Sequence, residues 1–357
     1  MSDVRKKYFK YLEENSRKVE PIILSFFREI KKNEKLFEIF EPLLLKRLKH
    51  KQLRTTITRL AYQICGGKDI KKILPVCSVM ELHNMYAYWH NWIFDNKNSV
   101  WDGNIKDIRQ HINNIIISAA ITREVIIKEI NKFDVTTRQK QIIQDALSSS
   151  FLELYKGQYI DINLSVDDYK FFKNEEEFLK VYENKSNLQS GSSYGLSGYI
   201  GAILAGADEH TAQIIEGISR LLGTGLHISN DLGDFSLPRK NKSTFGKAYQ
   251  DQMADLRGGR LTWPVFLILM KGTKKEITLI QQISKLQALD KEKMNKVVSI
   301  IKAHDISGYI VKYLRKNYLN VAKKKLHESF KPSLQRDMFS EMLSIIRSNK
   351  FLVELKR

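Results

Sequence analysis

The chain has 357 residues with 43% hydrophobic and 28% charged side chains, enough to bury a large core, and a formal net charge of +19. Its lysines are scattered rather than blocked, and no helix-turn-helix spacing, zinc knuckle or RNP-like aromatic pattern accompanies them, so nucleic acid is not an expected partner. Only Cys65 and Cys77 occur, no apolar run reaches the ~18 residues of a spanning helix and MSDVRKKYFK has no signal-peptide core, so a soluble, cytoplasmic protein is expected.

With six prolines and long 3.6-residue periodicities, the chain reads as all-α and as a single domain over 1–357. Residues 1–45 are amphipathic and basic, with Phe26, Phe27, Leu36, Phe37 and Phe40 as core candidates and a helix start at Glu41-Pro42. The stretch 43–67 is a basic segment running into an apolar helix that ends at Gly66-Gly67. Residues 81–95, ELHNMYAYWHNWIFD, are rich in aromatics and amides. Continuous helical patterns cover 105–133 and 291–326, and 165–175 reads as a polar loop or lid. The run 191–206 is rich in small residues and permits close helix packing.

The chemistry concentrates in 221–264. There Asn230-Asp231-Leu232-Gly233-Asp234 ends an apolar helical run. Asn230 and Asp234 lie one turn apart with Asp231 to one side, which is how a helix offers oxygens to a hard cation such as Mg2+. Arg239, Lys240, Lys242, Lys247, Arg257 and Arg260 follow. Acids to hold a metal and then bases to hold an anion suit a metal-bridged phosphate site.

This stretch resembles the second aspartate-rich motif of the trans-isoprenyl diphosphate synthases, through Asn230-Asp231, Asp234, Gly246-Lys247 and Asp255-Leu256-Arg257-Gly258-Gly259-Arg260-Leu261-Thr262-Trp263-Pro264. The family's other motifs appear in the same order between 43 and 326. Lys51 and Arg54 match its basic motif. Glu81, Leu82, His90 and Asp95 match its first aspartate-rich motif, with Asn84 at its histidine position and Asn91-Trp92 where aspartates are expected. Gly157-Gln158 and Asp161 match a cavity-lining segment, and Tyr182, Lys185 and Ser186 match Y-x-x-K-T. The Arg-Arg-Gly that usually follows the first motif is absent, leaving Lys97 as the nearby cation.

The resemblance implies a helical bundle of the class I isoprenoid synthase type around a central cavity. It implies an enzyme that joins an allylic diphosphate to isopentenyl diphosphate with Mg2+. Asp95, Asp231 and Asp234, helped by Asn91 and Asn230, would hold metal. Lys185, Ser186, Lys247 and Arg260 would hold the allylic diphosphate, with Lys185, Lys247 and Asp231 at the catalytic centre. Lys51, Arg54 and Asn84 would hold the second substrate. Tyr86, Gln158 and His227 would line the cavity, and Tyr86 suggests a C15 to C20 product. A homodimer, or a heterodimer with a homologous subunit, is implied, with peripheral membrane contact. The eroded first motif leaves two alternatives open: a terpene synthase-like enzyme or a prenyltransferase with an unusual acceptor, and a non-catalytic subunit.

Overall fold

Residues 2–48, 52–94, 108–235, 253–284, 286 and 291–347 are described by a computed structural model. In chain order the helices are α1 Asp3–Phe26, α2 Arg28–Lys31, α3 Glu34–Leu48, α4 Leu53–Ile64, α5 Ile70–Phe94, α6 Ile108–Asn131, α7 Thr137–Asn163, α8 Glu175–Ser186, α9 Ser192–Leu204, α10 Glu209–Gly233, α11 Ala254–Arg257, α12 Trp263–Lys271, α13 Lys274–Ile283, α14 Lys291–Ala303, α15 Ile306–Leu314, α16 Asn320–Ser329 and α17 Leu334–Arg347. Among the described residues there is no β-strand, only an isolated bridge between Ser165 and Arg260. None of the described helices is long and apolar enough to cross a membrane.

Local signals set the helix ends. Thr136 and Gln139 form a capping box at the start of α7, and Thr273 and Glu276 do the same for α13. Asn174 caps α8, whose first turn carries Glu175, Glu176 and Glu177, and Asp208 caps α10 by accepting from the Thr211 N–H at 2.7 Å. The predicted continuous helix over 105–133 is α6, from 108 onward. The predicted helix over 291–326 is instead interrupted. Asp305 takes a left-handed conformation (φ 47°) between α14 and α15, and a π turn, Arg315–Leu319, separates α15 from α16.

Helix α5 is buried on all sides from Val76 to Ala87, and α9 is buried along nearly its whole length. Such helices belong at the centre of a bundle. The small side chains of α9 let α4 come close: a Cβ at Gly201 would sit 2.4 Å from the carbonyl oxygen of Thr58. Three apolar clusters surround this centre. One joins α1, α3, α5, α6, α7 and α9, a second joins α8 with α10 to α15, and a third joins α1, α4, α9, α10, α16 and α17. Both cysteines are thiols; burial pushes Cys65 up to about 11 and Cys77 up to about 12, so neither is a reactive thiolate.

Candidate active site

A cavity of about 350 Å³ opens between α4, α5, α7 and α10. It gathers Arg54 from α4, Asn84 and Asn91 from α5, Gln158 from α7, Lys185 from α8, His227, Asn230 and Asp231 from α10, and Arg260. These are nine of the side chains predicted from sequence, drawn from positions more than 200 residues apart. Leu53, Ala87, Leu154, Tyr194 and Leu226 supply an apolar wall.

Lys185 is 2% exposed. A buried ammonium is costly unless it is paired. Its Nζ donates to Asp161 Oδ1 at 2.8 Å, lies 3.7 Å from Asp231 Oδ2 and stands 4.8 Å from the centre of the Tyr182 ring. Asp161 also takes Arg260 through NH1, while Arg260 NH2 donates to the Phe94 carbonyl at 2.9 Å. The carboxylate of Asp161 therefore holds two cations side by side at the cavity wall. It belongs to the quoted G-Q-x-x-D segment but was not among the predicted site residues. Its partners lie 24 and 99 positions away, so only tertiary structure discloses the role.

Asp231 is fixed from below. The Tyr182 hydroxyl donates to its Oδ2 at 2.7 Å, and His227 Nε2 lies 3.8 Å from its Oδ1. Burial, and then the neighbouring Asp231 charge, push the Tyr182 pKa well up, so this phenol stays a donor. Asn230 is exposed beside it at the cavity.

Arg54 is positioned by α9. Its Nε donates to Ser193 Oγ at 2.6 Å and its guanidinium covers the Tyr194 ring at 4.4 Å. Behind it Ser193 Oγ meets His83 Nδ1 at 3.4 Å. Burial, and secondarily Arg54, hold the His83 pKa down to about 3, so this imidazole is neutral. Unfolding exposes it to a pKa near 6.5. Between these values the unfolded chain binds a proton that the folded chain refuses, so stability rises with pH. From His83 alone, urea unfolding free energies should fall by about 1.4 kcal/mol per pH unit as pH drops below 6.5. His83→Gln should remove that slope; an unchanged acid limb would show that His83 is not the group responsible.

Other predicted residues lie away from the cavity lining. Asp234 is buried, and its Oδ2 accepts from the Asp255 N–H at 3.4 Å while its carbonyl accepts from the Met253 N–H. It anchors the chain where it re-enters the bundle, because α10 has ended at Gly233 and the side chain turns inward. The Ser186 hydroxyl donates to the Tyr182 carbonyl at 2.8 Å, an i−4 bond within α8. Tyr86 is buried against Phe151 and Tyr155, with its hydroxyl on that of Tyr155. The segment predicted as a lid includes a 3-10 turn, Val166–Phe171. The Val166 N–H donates to the Gly259 carbonyl at 2.7 Å and the Leu261 N–H to the Leu164 carbonyl at 2.9 Å. These bonds clamp the strip that carries Arg260. Lys51, Asp95 and Lys247 lie outside the described residues.

Mg2+ is the ion that this kind of site implies, and the donor chemistry fits it. Asn91, Asn230 and Asp231 all present oxygen, and no sulfur or imidazole pair competes at the same wall. Among the described residues no three His, Cys, Asp or Glu side chains converge to cage a metal. An ion here would complete its shell with water and substrate phosphate.

Residues 39–301 match the family model described as Polyprenyl synthetase. The chain is 24% identical over 227 residues to a geranylgeranyl diphosphate synthase of Methanosarcina mazei, covering 64% of this chain and 66% of that protein. It is 21% identical over 233 residues to a short chain isoprenyl diphosphate synthase of Methanocaldococcus jannaschii, covering 65% and 66%. Among solved structures, geranylgeranyl pyrophosphate synthetase from Pyrococcus horikoshii superposes with a TM-score of 0.76 at 16% identity, over 97% of this chain and 99% of that one. A decaprenyl diphosphate synthase from Rhodobacter capsulatus gives 0.75 at 13% identity, over 96% and 98%. The fold is thus shared by proteins named for products of very different length.

Proposed function

This chain belongs to the polyprenyl synthetase family, and from that premise we propose that it joins an allylic diphosphate to isopentenyl diphosphate, lengthening the isoprenoid chain. The observation that carries the reading is the convergence of Arg54, Lys185, Arg260 and Asp231 on one cavity with an apolar wall.

Lys185 and Arg260 would grip the allylic diphosphate, Lys185 as a point charge and Arg260 as a planar fork. As the carbon–oxygen bond breaks, these fixed cations face the negative charge that accumulates on the leaving diphosphate. Arg54, held by Ser193 and Tyr194, would orient the second diphosphate so that its double bond faces the allylic carbon. Leu154, Ala87 and Leu226 keep water from the hydrocarbon. Mg2+ held by Asp231, with Asn230 and Asn91 assisting, would supply further neutralisation of the diphosphate. Asp95 and Lys247 are proposed to join this set, and Lys51 to join Arg54. Asn84 is proposed to contact the second diphosphate, with Asp234 and Ser186 supporting the site from behind. Gln158 and His227 face the chain, and Tyr86 backs the wall as the limit on a C15 to C20 product. We read the whole chain as one cytoplasmic domain that works as a homodimer or beside a homologous subunit.

A second reading, a non-catalytic subunit, is favoured by the amides Asn91 and Asn230 at the cavity. Purified protein with Mg2+ and farnesyl diphosphate, assayed with and without isopentenyl diphosphate, decides between them. The expected result is a longer diphosphate only when both substrates are present. Hydrocarbon from farnesyl diphosphate alone would replace the reading with a cyclase-like one. No turnover with any allylic chain length would leave the non-catalytic subunit.

A further inference from the structure

A second cavity, of about 420 Å³, lies between α7, α9 and α10, nearer the N-terminal ends of α7 and α10. Asp145, Ser150, Glu153, Glu209, Glu216 and Arg220 face it. In a chain of net charge +19, this is a local excess of carboxylates over cations. Arg220 engages two of them, donating through NH1 and NH2 to Glu153 at 2.8 and 3.1 Å and through Nε to Glu216 at 2.8 Å. Gly195 makes this placement possible, since a Cβ there would lie 2.4 Å from Arg220 Cγ. Asp145 and Glu209, at the exposed rim, take hydrogen bonds only from neutral donors among the described residues: Gln141 for the first, Tyr199 and Gln213 for the second. Their charges are unanswered.

Ser150 is the independent observation. It is 4% exposed, and its Oγ has no hydrogen-bond partner. Other buried helical serines behave differently. Ser186, Ser192, Ser197 and Ser219 each donate to the carbonyl four residues earlier. A buried hydroxyl without a partner is a cost that a ligand can recover. The acids do not converge on a metal: no cluster of three is formed among the described residues. The volume falls in the range of small-molecule sites.

We propose that this cavity binds a small linear organic polycation, a diamine or polyamine, with ammonium groups on Asp145 and Glu209 and an inner N–H on the Ser150 hydroxyl. The site is separate from the diphosphate cavity and does not rest on the reaction proposed above. Spermidine titrated calorimetrically into the full chain should bind saturably at one site, more weakly as salt is raised. Asp145→Asn with Glu209→Gln should weaken it about tenfold, and Ser150→Ala about fivefold. The rim substitutions are on exposed side chains, and thermal unfolding of each variant verifies that the fold is kept. Absence of saturable binding, wild-type affinity in both variants, or heat from Mg2+ alone with none from spermidine would each overturn the assignment.

Discussion

Replacing Asp231 by asparagine is expected to lower kcat by about a hundred- to a thousandfold while leaving the protein folded. Asparagine keeps an oxygen that can accept from the Tyr182 hydroxyl, now 2.7 Å from Asp231 Oδ2. The change therefore removes charge more than shape. Among the cavity's acids, Asp161 already serves Lys185 and Arg260, and Asn91 and Asn230 carry no charge. Asp231 is thus the described carboxylate best placed to bring negative charge to an ion at this wall. The Mg2+ concentration for half-maximal rate should rise along with the loss of kcat. Turnover within about threefold of wild type, at unchanged Mg2+ dependence, would reduce Asp231 to a structural partner of Tyr182 and move the metal elsewhere.

The largest stability effect is expected at Lys185. Lys185→Met removes the ammonium between Asp161 and Asp231 and leaves buried acid behind, a change that typically costs about 3–5 kcal/mol. Arg260 still touches Asp161, which places the loss at the lower end of that range. Adding Asp161→Asn to Lys185→Met should recover part of the stability, because both members of the buried pair are then neutral. It should recover none of the activity, since the cation that would meet the diphosphate is still missing. Denaturant midpoints for the two single variants and the double complete the cycle. Strict additivity, or a Lys185→Met loss below about 1 kcal/mol, would mean that the pair is not coupled in the folded protein.

Much of the helical architecture was legible because helix periodicity and caps are local properties. The end of α10 after Gly233 and the burial of α5 follow from residues within a few turns of each other. The convergence of Arg54, Lys185 and Arg260 was legible only through motif order. Spacing along the chain says nothing about which helix faces which. Asp161 illustrates the limit, since a single acid on an amphipathic helix carries no local sign that two cations from distant elements will close on it. Asp234 shows the converse. Helical spacing set it beside Asn230, but the helix stops one residue earlier and the side chain turns to the Asp255 N–H instead. The break at Asp305 was invisible for another reason: a non-glycine residue in the left-handed region is uncommon, and nothing in its side chain announces it.

Between α8 and α9 the helix does not end but widens into a π turn over Asn187–Gly191. A π turn holds one residue more than an α turn would. Lys185 lies just before it, and Ser193 and Tyr194, the two supports of Arg54, lie just after it. Deleting any single residue there would let ordinary α geometry take over and rotate everything downstream by about 100°. Lys185 would keep its place while the seat of Arg54 swung away. Evolution can therefore vary the identity of residues in this turn far more freely than their number, and an indel scan across it should find a far steeper loss than a substitution scan.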